Sequence, residues 1–363
     1  MRRRAALAAG GSLLVGLSAG CLDLERLRRE DAWRELVVDP PDGAYVPSHA
    51  DEMVTYGMAT EAGREITLAA TRPHSFWVVA DGERNRADVR SRHAVHLMVD
   101  VRDAETGQFL PAPVTTTLET RAGDWSDDRS LWPMLSQQMG AHYGDNVPLD
   151  GDGAYVATVE VGTTGADVLG EGAADLVDPA TAELEFEYES DEIEELERRL
   201  IDEDEGRGEP GALEPMAHDT DDHDEFDHER AASTRIGTAT ADDVEYTATL
   251  VGRDDRSDAA ESELAMTART AYNAYPLPFA SLSAAVSRAG ERIAGGALRE
   301  TIGPELGHHY RTAVDPSVLE RGDELTISVE SPPQLSRHEG YENAFLETES
   351  VGIGLESLSH SDV

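Results

Sequence analysis

Residues 94–101, Ala-Val-His-Leu-Met-Val-Asp-Val, alternate small or branched apolar side chains with polar or sulfur-containing ones. Successive side chains of a β-strand point to opposite faces, so this alternation predicts a strand with one face turned to a core. The leucine and the valines form that apolar face. The other face carries His96 and Met98 side by side. The stretch therefore predicts a strand that presents an imidazole next to a thioether.

Four other segments of the first half have the composition of short strands. They are residues 65–70, 75–80, 114–120 and 154–161. Gly, Pro and Asp turns separate them, and no amphipathic helix lies between them. Strands at this spacing predict an antiparallel β-sandwich, which we expect to occupy residues 43–188.

A segment of different character follows, over residues 189–235. Asp191 with Glu194 resembles a capping box, and apolar residues recur there at helical spacing, so the segment predicts a short acidic helix. The apolar positions are Ile193, Leu196, Leu200 and Ile201. Residues 202–230 are rich in Asp, Glu, Gly and Pro, which predicts a disordered linker. Its His218, His223 and His228 are either plain solvated residues or a weak collector of metal ions.

The second half of the chain repeats landmarks of the first half at a constant offset of 167 residues. Leu97, Leu110, Ala122, His142 and Val147 correspond to Leu264, Leu277, Ala289, His309 and Val314. A constant offset across separate landmarks indicates two copies of one domain. Later strands fit an offset of 169. We expect the second copy over residues 236–348, followed by a tail over residues 349–363.

The amino terminus has the pattern of an export signal. Arginines at positions 2–4 precede an apolar run over residues 5–17 that is too short to span a bilayer, which predicts a signal peptide over residues 1–20. The paired arginines favour the twin-arginine route. Cys21 is the only cysteine, so an intrachain disulfide is excluded and lipidation is the simplest use of its thiol. Residues 21–42 then form a tether to the outer face of the cell membrane.

The formal net charge is −43, and every basic side chain other than histidine is an arginine. Such a surface is typical of a protein that works in concentrated salt, where its self-repulsion is screened. It makes nucleic acid an improbable partner. The sequence contains no nucleophile elbow, phosphate-binding loop or zinc-protease motif, so we do not expect an enzyme.

Two residues are best suited to hold a metal, and one follows a proline whereas the other lies shortly before a glycine. Met134 lies in Trp-Pro-Met at residues 132–134, and His142 opens His-Tyr-Gly-Asp-Asn-Val at residues 142–147. We expect a proline-fixed turn and a glycine-rich corner to hold the two side chains. A thioether with an imidazole suits copper or ferrous iron.

Together with the His96 setting, these motifs resemble the periplasmic iron-transport family. That family comprises immunoglobulin-like proteins that bind copper and ferrous iron beside a membrane iron permease. The resemblance covers residues 93–161 well and the second copy more loosely. It implies an all-β fold of two immunoglobulin-like antiparallel sandwiches, here joined by the short acidic helix and the disordered linker.

By the same resemblance, three histidines and one methionine bind the metal. His96, Met134 and His142 match three of these positions in the first copy, whereas the fourth falls on Leu169. The second copy retains that fourth residue as His338. Because family members are homodimers with the metal near the interface, the fused copies are expected to form an intrachain pseudo-dimer. Its single composite site would contain His96, Met134, His142 and His338.

Each candidate also has a structural alternative. Met134 could pack in the core, His142 could bond backbone, and His96 could lie on the surface. Met98, His74 and His309 are weaker candidates, and Met98 in particular would favour cuprous copper. The expected function is capture of ferrous iron or copper by a cell-surface lipoprotein and delivery to a membrane iron permease. The alternatives are an adhesive or structural module that has lost its metal, and a copper-storage or copper-insertion protein.

Overall fold

The computed structural model describes residues 40–80, 82–170, 172–216, 233–252, 262–347 and 349–355. The signal peptide, Cys21, most of the tether and the three linker histidines lie outside them. From Pro41 onward the chain forms one compact unit. Its described residues are nearly all β-structure, which confirms the all-β prediction. None of the helices described has both the length and the apolar character that crossing a bilayer requires.

The described strands of the first half include all five segments predicted from alternation, with ends shifted by one or two residues at most. They are β1 (His49–Asp51), β2 (Val54–Glu61), β3 (Arg64–Thr71), β4 (Phe76–Ala80), β5 (Glu83–Ala87), β6 (Val95–Asp103), β7 (Val114–Thr120), β8 (Ser126–Ser130), β9 (Trp132–Ser136), β10 (Gly140–Val147), β11 (Gly153–Val161), β12 (Asp167–Val168), β13 (Ala180–Tyr188) and β14 (Arg198–Leu200). In β13, apolar residues at even positions are buried and threonine or glutamate at odd positions is exposed.

The second half has a similar series of strands. They are β15 (Ser233–Ala241), β16 (Val244–Val251), β17 (Ser262–Thr270), β18 (Ser281–Arg288), β19 (Glu291–Ala297), β20 (Arg299–Gly303), β21 (Gly307–Val314), β22 (Glu324–Ser331), β23 (Ser336–Arg337) and β24 (Val351–Gly354). Strand β24 pairs with β22 along the edge of a sheet, so part of the segment expected to be a tail belongs to the sandwich.

The segment between the halves is more ordered than its composition predicted. The described α-helices are short, α1 (Ala173–Val177) and α2 (Ser190–Glu195), and α2 has no side-chain cap, so the predicted capping box is wrong. Leu200, expected on the helix, lies in β14, which pairs with β1. Residues 202–216 are bound to the first sandwich by hydrogen bonds, since Leu213 N–H donates to the Gln137 side chain at 2.7 Å and Met216 N–H donates to the Gln138 carbonyl at 3.0 Å. The acidic segment is therefore ordered as far as Met216, contrary to the prediction from its composition.

Four large sheets build two sandwiches. The first has the order β2-β3-β6-β10-β9-β23-β4-β5 and packs against β13-β11-β7-β8. The corresponding sheets of the second half have the orders β12-β20-β21-β17-β16-β15 and β19-β18-β22-β24. The correspondence between the two halves extends to individual hydrogen bonds. Tyr143 Oη donates to the Leu110 carbonyl at 2.8 Å, and Tyr310 Oη donates to the Leu277 carbonyl at 2.7 Å, each spanning 33 residues.

The two sandwiches exchange short strands. β23, from the second half, lies between β9 and β4 of the first half, and it runs parallel to β9. β12, from the first half, runs parallel to β20 of the second half. The paired residues Ser336 with Met134 and Asp167 with Thr301 occupy equivalent positions in the two copies. The copies are therefore arranged as a pseudo-dimer within one chain.

Candidate metal centre

Three predicted ligands lie on neighbouring strands of the large sheet in the first sandwich. His142 on β10 is directly opposite Met134 on β9, and His96 on β6 is opposite Asn146 on β10. Directly opposed residues present their side chains on the same face of a sheet. The expectation of a turn and a corner around Met134 and His142 is therefore wrong, since cross-strand pairing holds them instead.

This face is the one turned away from the sandwich core. The apolar side chains of β6 belong to the main core, whereas His96 points to the other side. It is nevertheless fully buried, as are Met134 and His142. The surface alternative for His96 is therefore excluded. Segments from elsewhere in the chain must cover the outer face.

Gly144 lies close to the side chains of Met134 and His96. A Cβ atom at this position would lie 2.9 Å from Met134 Sδ and 3.0 Å from His96 Nε2. Real Cβ atoms essentially never approach other heavy atoms that closely. Because glycine lacks the atom, the thioether sulfur and the imidazole nitrogen can both lie close against the backbone at this position.

His338 reaches the same place from the second sandwich. Strand β23 pairs Ser336 with Met134, and the chain then turns His338 over the outer face. The centroid of its ring lies 5.8 Å from that of His142 and 6.0 Å from that of His96. His338 is itself buried. The four predicted ligands are thus brought together from both copies.

A buried arginine fixes the loop that carries His338. Arg337 is fully buried and donates to three backbone carbonyls of that loop, those of Pro333, Ala344 and Phe345. Such a set of charge-assisted bonds holds the backbone on both sides of the histidine. Burial lowers the pKa of this guanidinium to about 9.

His74, ranked below the others from the sequence, belongs to the cluster. The centroid of its ring lies 4.1 Å from that of His96 and 4.7 Å from that of His338. Potential ligand atoms of His74, His338 and Glu339 all lie within 4.8 Å of one another. Glu339 was missed by the sequence analysis. Its only signal there was its position next to His338.

The tautomer of His96 follows from its neighbour. Asn146 Nδ2 donates to the His74 carbonyl at 2.8 Å, which directs Asn146 Oδ1 toward His96. His96 Nδ1 lies 3.1 Å from that oxygen and must donate to it. The lone pair of neutral His96 is therefore on Nε2.

The tautomers of two other imidazoles are fixed in a similar way, by backbone carbonyl groups. His142 Nδ1 donates to the Gly140 carbonyl at 3.0 Å, and His74 Nδ1 donates to the Arg72 carbonyl at 3.1 Å. The Nε2 atoms of His74, His96 and His142 are buried and have no hydrogen-bond partner among the described residues. Buried acceptors left without a partner are costly, so their convergence is typical of a site completed by a metal ion.

Burial keeps these imidazoles neutral. It lowers the pKa to about 4 for His74, His142, His338 and His309, and well below 6.5 for His96. Neighbouring imidazoles add to the lowering at His96, since two positive rings would repel. Neutral imidazole is the form that binds metal.

Acidification is expected to destabilise the metal-free protein as the pH falls from about 6.5 toward 4. In that window the unfolded histidines take up protons that the folded ones cannot, so the free energy of unfolding falls by about 1.4 kcal/mol per pH unit for each such imidazole. Thermal unfolding at pH 7, 6 and 5, at constant salt and with a chelator, measures this. A His142→Gln variant should show a shallower decline. A wild-type midpoint that is independent of pH would contradict the prediction.

The equivalent place in the second half contains an ion-pair network. Glu263 replaces His96, Thr301 replaces Met134, and Arg311 stands where Gly144 does. The Arg311 guanidinium lies 2.7 Å from a Glu263 carboxylate oxygen and 3.4 Å from one of Asp167. In the second half, an ion-paired arginine side chain therefore takes the position at which the first half has a glycine.

His309 has the same local geometry as His142, but it lacks neighbours equivalent to His96, Met134 and His338. Its Nδ1 donates to the Gly307 carbonyl at 2.9 Å, and Thr301 is directly opposite it. Leu169, the counterpart of His338, packs near Gly303, and so does the His309 ring. The structure thus does not bring His309 into the cluster of His96, Met134, His142 and His338.

Met98 lies beside the centre rather than in it. Its thioether is buried with Ala69 and Met139 in a small apolar cluster separate from the main core. That cluster borders a pocket to which His74 and His338 also contribute. Met98 is therefore placed next to the histidines, in surroundings rich in methionine.

Comparison with known proteins finds a family model similar to part of each half. Residues 82–190 match the family model described as Fe2+ transport protein, and residues 229–354 match one described as a domain of unknown function, DUF7350. A search of curated protein sequences finds no significant match.

Among solved structures, FetP from a uropathogenic strain of E. coli is 17% identical, with a TM-score of 0.28. The match covers 38% of this chain and 97% of FetP. Copper-reconstituted P19 from Campylobacter jejuni is 21% identical, with a TM-score of 0.31, over 38% of this chain and 96% of P19. Residues 82–190 are thus similar to the Fe2+ transport protein family, and iron is one of the two metals that the sequence favoured.

Proposed function

We propose that the protein binds one copper or ferrous ion between its two sandwiches and delivers it to a membrane iron permease. The proposed ligands are His96, Met134, His142 and His338, with His74 beside them. The observation that carries the proposal is that buried imidazole nitrogens without hydrogen-bond partners among the described residues belong to rings clustered beside a thioether.

The ligand types narrow the choice of metal. Imidazole suits copper and iron, and a thioether favours the softer cuprous ion. A hard cation such as Mg2+ or Ca2+ prefers oxygen, and the four principal ligands supply none. All four are neutral. A divalent ion held without ligand charge is released more easily, which suits delivery.

The place of action is part of the proposal. An export signal followed by a lipidated Cys21 would tether the protein to the outer face of the cell membrane. The match of residues 82–190 to the Fe2+ transport protein model supports a role in iron transport. The net charge of −43 supports work in concentrated salt.

Two other functions make different predictions. An adhesive module that had lost its metal would have no reason to keep buried nitrogens without partners, so the site geometry favours metal binding over it. A copper-storage or copper-insertion protein would hold copper in preference to iron. Exchange of bound metal with a chelator separates storage from delivery, because delivery requires exchange much faster than hours.

Titration of the purified protein with copper(II), and anaerobically with iron(II), tests the proposal. Molar salt should be present, because it screens adventitious binding to the acidic surface. Wild-type protein is expected to bind one ion tightly, and a Met134→Leu, His142→Ala double variant to lose this binding. Weak binding that the double variant leaves unchanged would assign the metal to the acidic surface and overturn the proposal.

A further inference from the structure

Methionine is concentrated at one place in this chain. Of eight methionines, Met134 lies in the histidine centre and Met53, Met98, Met139 and Met216 lie beside it. By contrast, the main core contains only Met266 among the described buried residues. The distribution is therefore not that of a residue used evenly to fill gaps in cores.

Four separate segments bring these thioethers together. Met98 lies on β6, two residues after His96, and Met139 lies between β9 and β10. Met53 precedes β2. Met216 follows the interdomain segment, where its N–H donates to the Gln138 carbonyl at 3.0 Å. Hydrogen bonds of the backbone thus hold the most distant methionine in place.

The cluster formed by Met53, Met98, Met139 and Met216, here called the methionine cluster, is open on one side. All four side chains line a pocket together with His74 and His338. Met53 and Met216 are only partly buried. A methionine that merely fills a core gap is enclosed by packed neighbours. These thioethers instead face a space that adjoins the histidine centre.

We propose that the methionine cluster is a second metal site, which takes a cuprous ion at the entrance of the histidine centre. Thioethers are neutral, soft ligands that select Cu(I) over ferrous iron and over hard divalent cations. The site goes beyond the proposed function, because it rests on sulfur ligands alone and would serve a monovalent ion. Glu339 also lines the pocket and carries negative charge that would attract one.

Anaerobic titration of the purified protein with Cu(I), and with Ag(I) as a redox-silent probe, tests the second site against a competing Cu(I) chelator. Wild-type protein should bind two monovalent ions. A Met98→Leu, Met139→Leu double variant should bind the second at least about 100-fold more weakly, since ligand loss exceeds the effect of an outer partner. Leucine keeps the volume, so packing is largely retained. Met266→Leu is the matched control, as a buried methionine of the other sandwich, and should leave both ions bound.

A second variant guards against a folding artefact. Met53→Leu with Met216→Leu alters the partly buried pair and should also weaken the second ion. Copper(II) binding at the histidine centre should persist in both double variants, so failure of this inference is distinguishable from failure of the proposed function. A single Ag(I) equivalent in the wild-type protein, or a second equivalent indifferent to both variants, would overturn the inference.

Discussion

Replacing His338 by alanine is expected to lower the affinity for copper(II) by more than about 100-fold, the upper end of what loss of an outer-shell partner costs. The reason is geometric. His338 comes from the second sandwich and its ring lies over the three ligands of the first. Without it, the ion loses a ligand and the site loses its cover. Competition titration in molar salt measures the change, with thermal unfolding to confirm that the variant is folded.

The matched control is His309→Ala. His309 has the same position in the second half as His142 in the first, and the same bond to a glycine carbonyl, but an arginine fills the space beside it. Its replacement should leave the affinity unchanged. If His338→Ala bound copper as tightly as the wild type, the composite site would be wrong. The ion would then be held by the first sandwich alone.

Gly144→Ala should abolish tight metal binding while the protein remains folded. The new methyl group would lie 2.9 Å from Met134 Sδ and 3.0 Å from His96 Nε2, so it would push these two proposed ligand atoms out of their positions. Overpacking of this kind typically costs about 1–3 kcal/mol of stability. The same titration, with circular dichroism to follow the fold, measures both effects.

Gly165→Ala is the control for this substitution. Its Cβ would meet no atom within 4 Å, so neither affinity nor stability should change appreciably. Retained affinity in Gly144→Ala would show that metal binding does not depend on the present positions of the thioether and the imidazole. The second half already contains a natural version of this change, because Arg311 occupies the position equivalent to Gly144.

The two halves of the chain therefore share one architecture but have different residues at the equivalent place. In both, a short strand from the other half runs parallel to a site strand, and a histidine bonds a glycine carbonyl. The first half has the proposed ligands His96, Met134 and His142, whereas the second has Glu263, Arg311 and Asp167 joined by ion pairs. Because Asp167 lies in β12, these pairs join the exchanged strand to the second half.

Much of the candidate site could be proposed from the sequence because its motifs resemble those of a known family and because the chain contains a repeat. Alternation placed His96 on a strand face, and the constant offset showed that Leu169 and His338 are counterparts. His74 could only be ranked low, since nothing local indicates that its strand end meets His96. Met139, Met53 and Met216 carried no signal, because their convergence depends on segments far apart in the chain.

The all-β class and the duplication could be read from the sequence alone, because strand alternation and repeat spacing are local or periodic properties. The principal ligand candidates came from the resemblance of its motifs to a known family. The tertiary structure decided that His142 and Met134 face each other across two strands rather than around a turn. It also showed that residues 202–216 are ordered, although their composition predicted a disordered linker. Above all, it placed His338 over the first sandwich. That contact depends on strand exchange between distant segments, which is set by packing and backbone pairing rather than by any pattern along the chain.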